Sequence, residues 1–164
     1  MSLNATRKHS AALDELSELF VEKLAAGGRV SFSPKGTSML PMLRVKGDTV
    51  TLKAPPARFK TGMVALFVIK EEDGNDKYIL HRLVKIKDGK LTFCGDHRKE
   101  HDAPVDGSAV IGVVESYNSR GREHSTNELL YRVYSRWMVL TARHRRAALA
   151  VQNFVYRLWK KARK

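Results

Sequence analysis

Between residues 29 and 116 the chain repeatedly passes from a short run of β-branched and aromatic residues to a group of turn-forming residues. Runs of this length, bounded by turn signals, are typical of strands. Asp88-Gly89 is in addition a strong two-residue hairpin signal. We therefore predict a mainly β fold, with a small antiparallel, partly closed β domain at residues 29–117. Its predicted strands are Arg29–Ser33, Thr49–Lys53, Met63–Lys70, Tyr78–Lys87, Leu91–Cys94 and Ala109–Tyr117.

Helical patterns flank this centre on both sides. Residues 1–28 form the N-terminal segment, in which a helix is predicted over 10–26 and ends at Gly27-Gly28. Its apolar positions are Leu13, Leu16, Phe20 and Leu24. Residues 118–164 form a C-terminal segment, with a linker predicted at 118–124 and helix at 125–163. One apolar stripe of that helix holds Leu129, Val133, Trp137 and Leu140, and a second face holds Leu149, Gln152, Tyr156 and Trp159.

Charge is concentrated in the C-terminal segment. Residues 1–117 hold 18 Lys and Arg against 15 Asp and Glu, whereas residues 118–164 hold 12 against 2. A basic amphipathic helix suits an anionic membrane surface or nucleic acid. We expect no specific nucleic-acid partner, because no base-reading motif is present. The alternatives are a solvated basic face, or a stripe that packs on the β domain or on a second copy of the chain.

Localisation is predicted from what the sequence lacks. No apolar run approaches the roughly 18 residues of a spanning helix, and the first residues do not resemble an export signal. The single cysteine, Cys94, cannot form an intrachain disulfide. We therefore expect a cytoplasmic protein, placed peripherally on the inner membrane face if the basic helix docks there.

A candidate nucleophile lies in the segment 36–43, Gly-Thr-Ser-Met-Leu-Pro-Met-Leu. Gly36 and Pro41 bracket Ser38 in a turn after a predicted strand. Such a turn can expose the hydroxyl and direct backbone N–H groups at a developing oxyanion. Taken alone, a Ser-Met pair in a Pro-containing turn is usually just a turn.

A candidate base, His81, lies inside the apolar strand Tyr78–Val84. An unperturbed imidazole has a pKa of about 6.5 and can accept a proton at neutral pH. The alternative is a core histidine that bonds to a backbone carbonyl.

Carboxylates that could orient this histidine follow in the segment Gly95–Asp102. Asp96 and Asp102 flank a turn after a strand, and either could act as the third member of a triad. The alternatives are a solvated charged loop and a metal site with His97 and His101. We predict neither metal nor cofactor, because no further ligand pair has metal spacing.

Taken together, these segments resemble the boxes of type I signal peptidases, in the same order. Residues 36–43 are similar to the Gly-x-Ser-Met-x-Pro-Thr-Leu nucleophile box, and Gly47-Asp48-Thr49-Val50 to the Gly-Asp-x-Val box. His81–Val84 resembles the base box, Gly95–Asp102 the last box, and Ile111–Val113 the closing strand. Histidine at the base position resembles the archaeal and endoplasmic-reticulum branch. The resemblance covers roughly residues 29–116.

The resemblance implies a serine endopeptidase that cuts a leader or precursor peptide after small residues. Ser38 would be the nucleophile, His81 the base, and Asp102 in preference to Asp96 the orienting acid. Oxyanion and substrate contacts would come from Gly36, Thr37, Met39 and Pro41. The main alternative is a non-catalytic peptide-binding or membrane-docking module on the same fold. A self-cleaving repressor is disfavoured, because the chain shows a single N-terminal helix and no Ser-Lys dyad.

Overall fold

The computed structural model describes residues 18–44 and 47–144. A helix, α1, covers residues 18–25. The strands are β1 Val30–Phe32, β2 Thr49–Lys53, β3 Val64–Lys70, β4 Asp76–Lys87, β5 Lys90–Cys94, β6 Val110–Ser119 and β7 Arg122–Ser125. A second helix, α2, covers Leu129–Leu140, and short 3-10 helices lie at Gly107–Ala109 and Ala142–His144. The predicted mainly β fold with a helix on each side is confirmed.

The seven strands form one sheet in which all pairs are antiparallel. The order is β1-β2-β6-β3-β4-β5, and β7 pairs with β6. Strand β6 is central: it pairs with β2, with β3 near its beginning, and with β7 at its end. Strand β5 pairs with β4 only from Arg82 onward. The first half of β4 therefore lies at an edge of the described sheet.

Alternation along the strands separates two apolar cores. Val64 and Leu66 of β3 contribute to one, whereas Ala65 and Phe67 contribute to the other, as expected when successive side chains point to opposite faces. Full burial of each Val, Leu or Phe stabilises the fold by about 1.5–3 kcal/mol. The first core also takes Leu24 of α1 and side chains of the loop between β1 and β2. This loop is therefore anchored to the sheet by its own apolar residues.

The linker predicted at residues 118–124 was wrong. Strand β6 continues to Ser119 and turns back into β7, with Ser119 paired to Arg122. Arg120 and Gly121 both have positive φ, at 58° and 74°, which is the conformation of the two central residues of a type I′ hairpin. Arg-Gly is not among the usual sequence signals for that turn, so the segment looked like a connection.

Each predicted helix is confirmed over part of its predicted range. The N-terminal helix was predicted over residues 10–26, and the structure shows it at 18–25; residues 10–17 lie outside the described part. In the C-terminal segment, α2 confirms the predicted helix over Leu129–Leu140. The predicted start at residue 125 was wrong, because that residue ends β7, and a 3-10 helix follows at Ala142–His144. The second predicted face, at Leu149, Gln152, Tyr156 and Trp159, lies outside the described residues. No helix in residues 18–44 and 47–144 is long and apolar enough to cross a membrane.

Helix α2 packs with a face other than the apolar stripe. Its buried residues are Tyr131, Ser135 and Met138. Val133 and Trp137 of the stripe are 58% and 63% exposed. Two of these three residues, Tyr131 and Ser135, carry hydroxyl groups, and both accept hydrogen bonds from the buried guanidinium of Arg82.

Candidate active site

Ser38 lies in the loop that joins β1 to β2. Met39, Met42 and Leu43 are buried in the first core and fix the loop on the sheet. The Leu43 N–H donates to the Met39 carbonyl at 3.0 Å, so the chain turns back on itself after the serine. Gly36 has a φ of +95°, a conformation that disfavours other residues. Ser38 itself stays half-buried and accessible to a ligand.

His81 is held by Asp102. The histidine lies in β4 opposite Ala65 and is only 2% exposed. Its Nδ1 lies 2.6 Å from Asp102 Oδ2. The Asp102 backbone N–H donates to the Phe93 carbonyl at 2.9 Å, which fixes the loop after β5. A carboxylate on Nδ1 favours the tautomer in which Nε2 is an acceptor.

Gly95 brings the serine loop and the histidine together. A Cβ on this residue would lie 2.8 Å from the Ser38 carbonyl oxygen and 2.9 Å from His81 Nε2. Both separations are shorter than real Cβ contacts, so only glycine fits here. The neighbouring His97 N–H donates to the Ser38 carbonyl at 2.8 Å. The loop after β5 therefore ties the serine turn to the imidazole.

Ser38 and His81 line one open pocket of about 180 Å³, together with Gly36, Met39 and residues 77–80 of β4. Among the described residues, the Ser38 hydroxyl forms no hydrogen bond with His81. The direct bond expected for a serine–histidine pair is therefore not made in this structure. Catalytic hydrogen bonds are often long or misaligned without substrate and tighten in the complex.

Of the residues predicted to contact the oxyanion or the substrate, some line the Ser38 pocket and others do not. Met39 lines the Ser38 pocket, although its side chain is 95% covered in the core. Thr37 is exposed and does not line that pocket. Pro41, which follows a cis peptide bond, borders a different depression with Tyr117. Pro41 therefore does not line the Ser38 pocket.

Asp96 pairs with Arg82, whereas an orienting role would require contact with His81. It is 1% exposed and forms a bidentate pair with Arg82, with Nε to Oδ1 at 2.8 Å and Nη2 to Oδ2 at 2.6 Å. Burial works to lower the pKa of the Arg82 guanidinium, but the charge and hydrogen bonds of Asp96 outweigh it and raise that pKa. The resemblance favoured Asp102 over Asp96, and the structure sets Asp102 against His81 Nδ1.

Helix α2 completes the surroundings of the buried arginine. Arg82 Nη1 donates to Tyr131 Oη at 3.1 Å and to Ser135 Oγ at 3.0 Å. The Tyr134 hydroxyl donates to Asp96 Oδ2 at 2.8 Å. Burial and the charge of Asp96 raise the pKa of Tyr134, so its hydroxyl remains a donor. Sequence analysis missed this cluster, and its only signal was hydroxyl groups spaced three and four residues apart on a helix.

The close fit of α2 also depends on a glycine. The Gly62 carbonyl accepts from Arg82 Nη1 at 2.9 Å and from Ser135 Oγ at 2.8 Å. Gly62 has a φ of +97°, and a Cβ there would lie 2.6 Å from Ser135 Oγ. The helix therefore approaches the backbone at the start of β3 through a position that only glycine tolerates.

Asp48 lies in the segment that resembles the Gly-Asp-x-Val box. It anchors the C-terminal end of the loop that carries Ser38. Its buried carboxylate accepts from the Arg44 N–H at 2.8 Å, the Ser119 hydroxyl at 2.7 Å and the Arg120 N–H at 3.3 Å. Burial opposes the charge, but these hydrogen bonds and the Arg44 guanidinium outweigh it and lower the pKa of Asp48. Asp48 thus joins the loop to the β6–β7 hairpin.

His97 and His101 were considered as metal ligands, and the described part of the chain does not place them in a metal site. His101 Nε2 lies 3.2 Å from the Ala142 carbonyl oxygen, and His97 is held through its backbone by Ser38. Within residues 18–44 and 47–144, no group of three His, Cys, Asp or Glu side chains is placed to hold a metal ion.

Comparisons of the chain with protein-family models, with curated proteins and with solved structures found no match.

Proposed function

We propose that the protein is a serine endopeptidase, similar in its catalytic core to type I signal peptidases, with Ser38 as nucleophile and His81 as general base. The observation that carries the proposal is the 2.6 Å contact of His81 Nδ1 with Asp102, at a histidine whose Nε2 borders the serine turn. A base oriented by a carboxylate beside an accessible hydroxyl is the arrangement that nucleophilic catalysis requires.

The reaction follows from these positions. Ser38 Oγ attacks the carbonyl carbon of the scissile bond while His81 Nε2 accepts the hydroxyl proton, and Asp102 stabilises the imidazolium. The C–N bond then breaks as His81 returns the proton to the leaving amine. Water, deprotonated by the same imidazole, hydrolyses the acyl-enzyme and frees Ser38. Because Gly36 has no side chain, the developing oxyanion depends on backbone N–H groups such as that of Ser38.

The shape of the pocket favours a peptide substrate with small side chains at the cleaved bond. About 180 Å³ is less than the roughly 300–1,000 Å³ of a usual ligand site. The pocket runs beside residues 77–81, where β4 extends beyond β5. An extended peptide can bind at such a sheet edge as an added strand. A leader or precursor peptide is therefore the proposed substrate.

The decisive experiment is labelling with a serine-reactive phosphonate, followed by peptide mapping. The proposal expects adduct on Ser38 and its loss in His81→Ala. Ser33→Ala, an exposed serine on the same loop, is the matched control and should leave labelling unchanged. If Ser38 carries no adduct while the protein is folded and still binds peptide, the proposed peptidase activity is wrong and a peptide-binding module is favoured.

We further propose that the protein acts at an anionic membrane surface. The supporting observation is the exposed apolar stripe of α2, which runs beside Arg132 and Arg136. Apolar side chains flanked by cations suit the headgroup region of a bilayer. Such docking would bring the pocket to precursors that lie near the inner membrane face.

A further inference from the structure

The mouth of the Ser38 pocket is basic. Among the described residues, four cationic side chains line it and no acidic residue does; the four are Lys35, Arg44, Lys77 and Arg98. Residues 1–117 as a whole are nearly balanced, with 18 basic against 15 acidic residues. The positive charge at this pocket is therefore a local concentration within this part of the chain.

Two of these cations are partly neutralised by carboxylates outside the pocket. Arg44 Nη2 lies 3.7 Å from Asp48, and Lys77 pairs with Glu71. Lys35 and Arg98 have no carboxylate partner among the described residues. Both are exposed, so their charges face the solvent from which a substrate arrives.

Arg98 lies beside the reacting groups. A Cβ placed on Gly95 would lie 2.9 Å from Arg98 Cγ and also 2.9 Å from His81 Nε2. The stem of the Arg98 side chain is therefore close to the imidazole. The Arg98 N–H donates to the Gly95 carbonyl at 3.0 Å, which fixes the base of the side chain. Lys35 also lines the pocket and directly precedes Gly36. A peptide whose carbonyl carbon reaches Ser38 therefore binds in a pocket that both cations line.

We infer that the preferred substrate of this pocket is an acidic peptide, with Asp or Glu within a few residues of the cleaved bond. The inference rests on the proposed peptidase activity and specifies its substrate class. A substrate carboxylate near Arg98 or Lys35 is attracted by a cation that has no ion-pair partner among the described residues, whereas a substrate lysine at the same place is repelled. Carboxylate recognition by arginine is strengthened by its planar pair of donors.

The test uses the full chain and fluorogenic peptides with alanine at the cleaved position and Asp, Asn or Lys at flanking positions. The expected order of kcat/KM is Asp, then Asn, then Lys, with about fivefold between Asp and Asn at low salt. The preference should shrink as salt is added, because exposed charges are screened. Equal rates for the three peptides would overturn the inference while leaving the peptidase intact.

Single substitutions test whether the preference for acidic peptides comes from cations at the pocket or from the net charge of the protein. Lys35→Gln and Arg98→Gln should each reduce the Asp-over-Asn ratio several-fold, mainly through KM, and Arg98→Glu should shift preference toward the Lys peptide. Lys99→Gln removes the adjacent exposed charge, which does not line the pocket, and should keep the wild-type ratio. If Lys99→Gln lowers the ratio as much as Arg98→Gln, net charge is responsible and the inference is wrong. Cleavage of no peptide by any variant would count against the peptidase itself.

Discussion

At the scale of single residues, two aspartates of one loop have opposite environments. The Asp102 side chain is 16% exposed and contacts the imidazole, whereas the Asp96 side chain is fully buried against Arg82. Removal of one charge from a buried pair leaves the other uncompensated, at a cost of about 3–5 kcal/mol. The two positions should therefore respond differently to the same substitution.

Asp102→Asn should lower kcat about 100-fold or more, because the amide no longer favours the productive tautomer of His81, and should leave the melting temperature nearly unchanged. Asp96→Asn should instead lower the free energy of unfolding by several kcal/mol. Peptide hydrolysis and thermal denaturation, measured on both variants, check these expectations. Asp106→Asn, which alters an exposed pair with Lys90, is the control. Full activity in Asp102→Asn would contradict the proposed role.

At the scale of elements, α2 is part of the support of the candidate site. Arg82 follows His81 directly in β4, and Asp96 follows Gly95 in the loop that contacts the serine turn. Tyr131, Tyr134 and Ser135 of the helix bond to this pair. The helix therefore stabilises both chain segments that meet at the imidazole.

Tyr134→Phe tests that support. The variant loses the 2.8 Å bond to Asp96, and the free energy of unfolding should fall by about 1–2 kcal/mol. Val133→Ala, at an exposed position one residue away, should change it by less than about 0.5 kcal/mol. Urea denaturation of the two variants provides the comparison. Equal effects would mean that the hydroxyl contributes nothing beyond packing.

The exposed face of α2 tests the membrane proposal. Because α2 holds Arg82, truncation after residue 118 would damage the fold, and substitution is the better approach. Val133→Ser combined with Trp137→Ser should reduce cosedimentation with anionic vesicles about tenfold or more, since each apolar side chain contributes about 1.5–3 kcal/mol when fully buried. Binding to neutral vesicles should be weak for wild type and variant alike.

Ile86→Ser is the matched control for that experiment, because Ile86 is 42% exposed on β4 and lies outside α2. It should bind vesicles as the wild type does. Recovery of the wild type in the supernatant with anionic lipid at low salt would eliminate docking. A molecular mass that doubles with concentration would instead assign the stripe to a second copy of the chain.

At the scale of the whole molecule, Asp48 links stability to pH. Its lowered pKa means that the carboxylate contributes stability above the ordinary pKa of an aspartate, about 3.9, and loses it as pH falls through the folded value. Asp48→Asn should therefore cost about 1–3 kcal/mol at pH 7, and the difference from wild type should shrink toward pH 3. Thermal denaturation at the two pH values measures this change. Asp88→Asn, at an exposed turn, should show no such trend.

The sequence alone determined six of the seven strands and part of each helix, whereas β7 was missed. Strands could be predicted because their patterns are local: β-branched runs between turn signals specify extended chain whatever lies across the sheet. Residues 49–53, for example, were predicted with the bounds observed for β2. Ser38, His81 and Asp102 were chosen from their segments, and the structure brings them to one place.

Only the tertiary structure decided which partner each polar residue takes. Asp96 and Asp102 lie in the same loop, and their partners, Arg82 and His81, are neighbours on β4 whose side chains point to opposite faces. Helix α2 carries two plausible faces, and a buried guanidinium that needed hydroxyl partners selected the one with Tyr131 and Ser135. A buried charge must be satisfied wherever the fold places it, and that place is set by contacts between distant segments, which local sequence patterns do not encode.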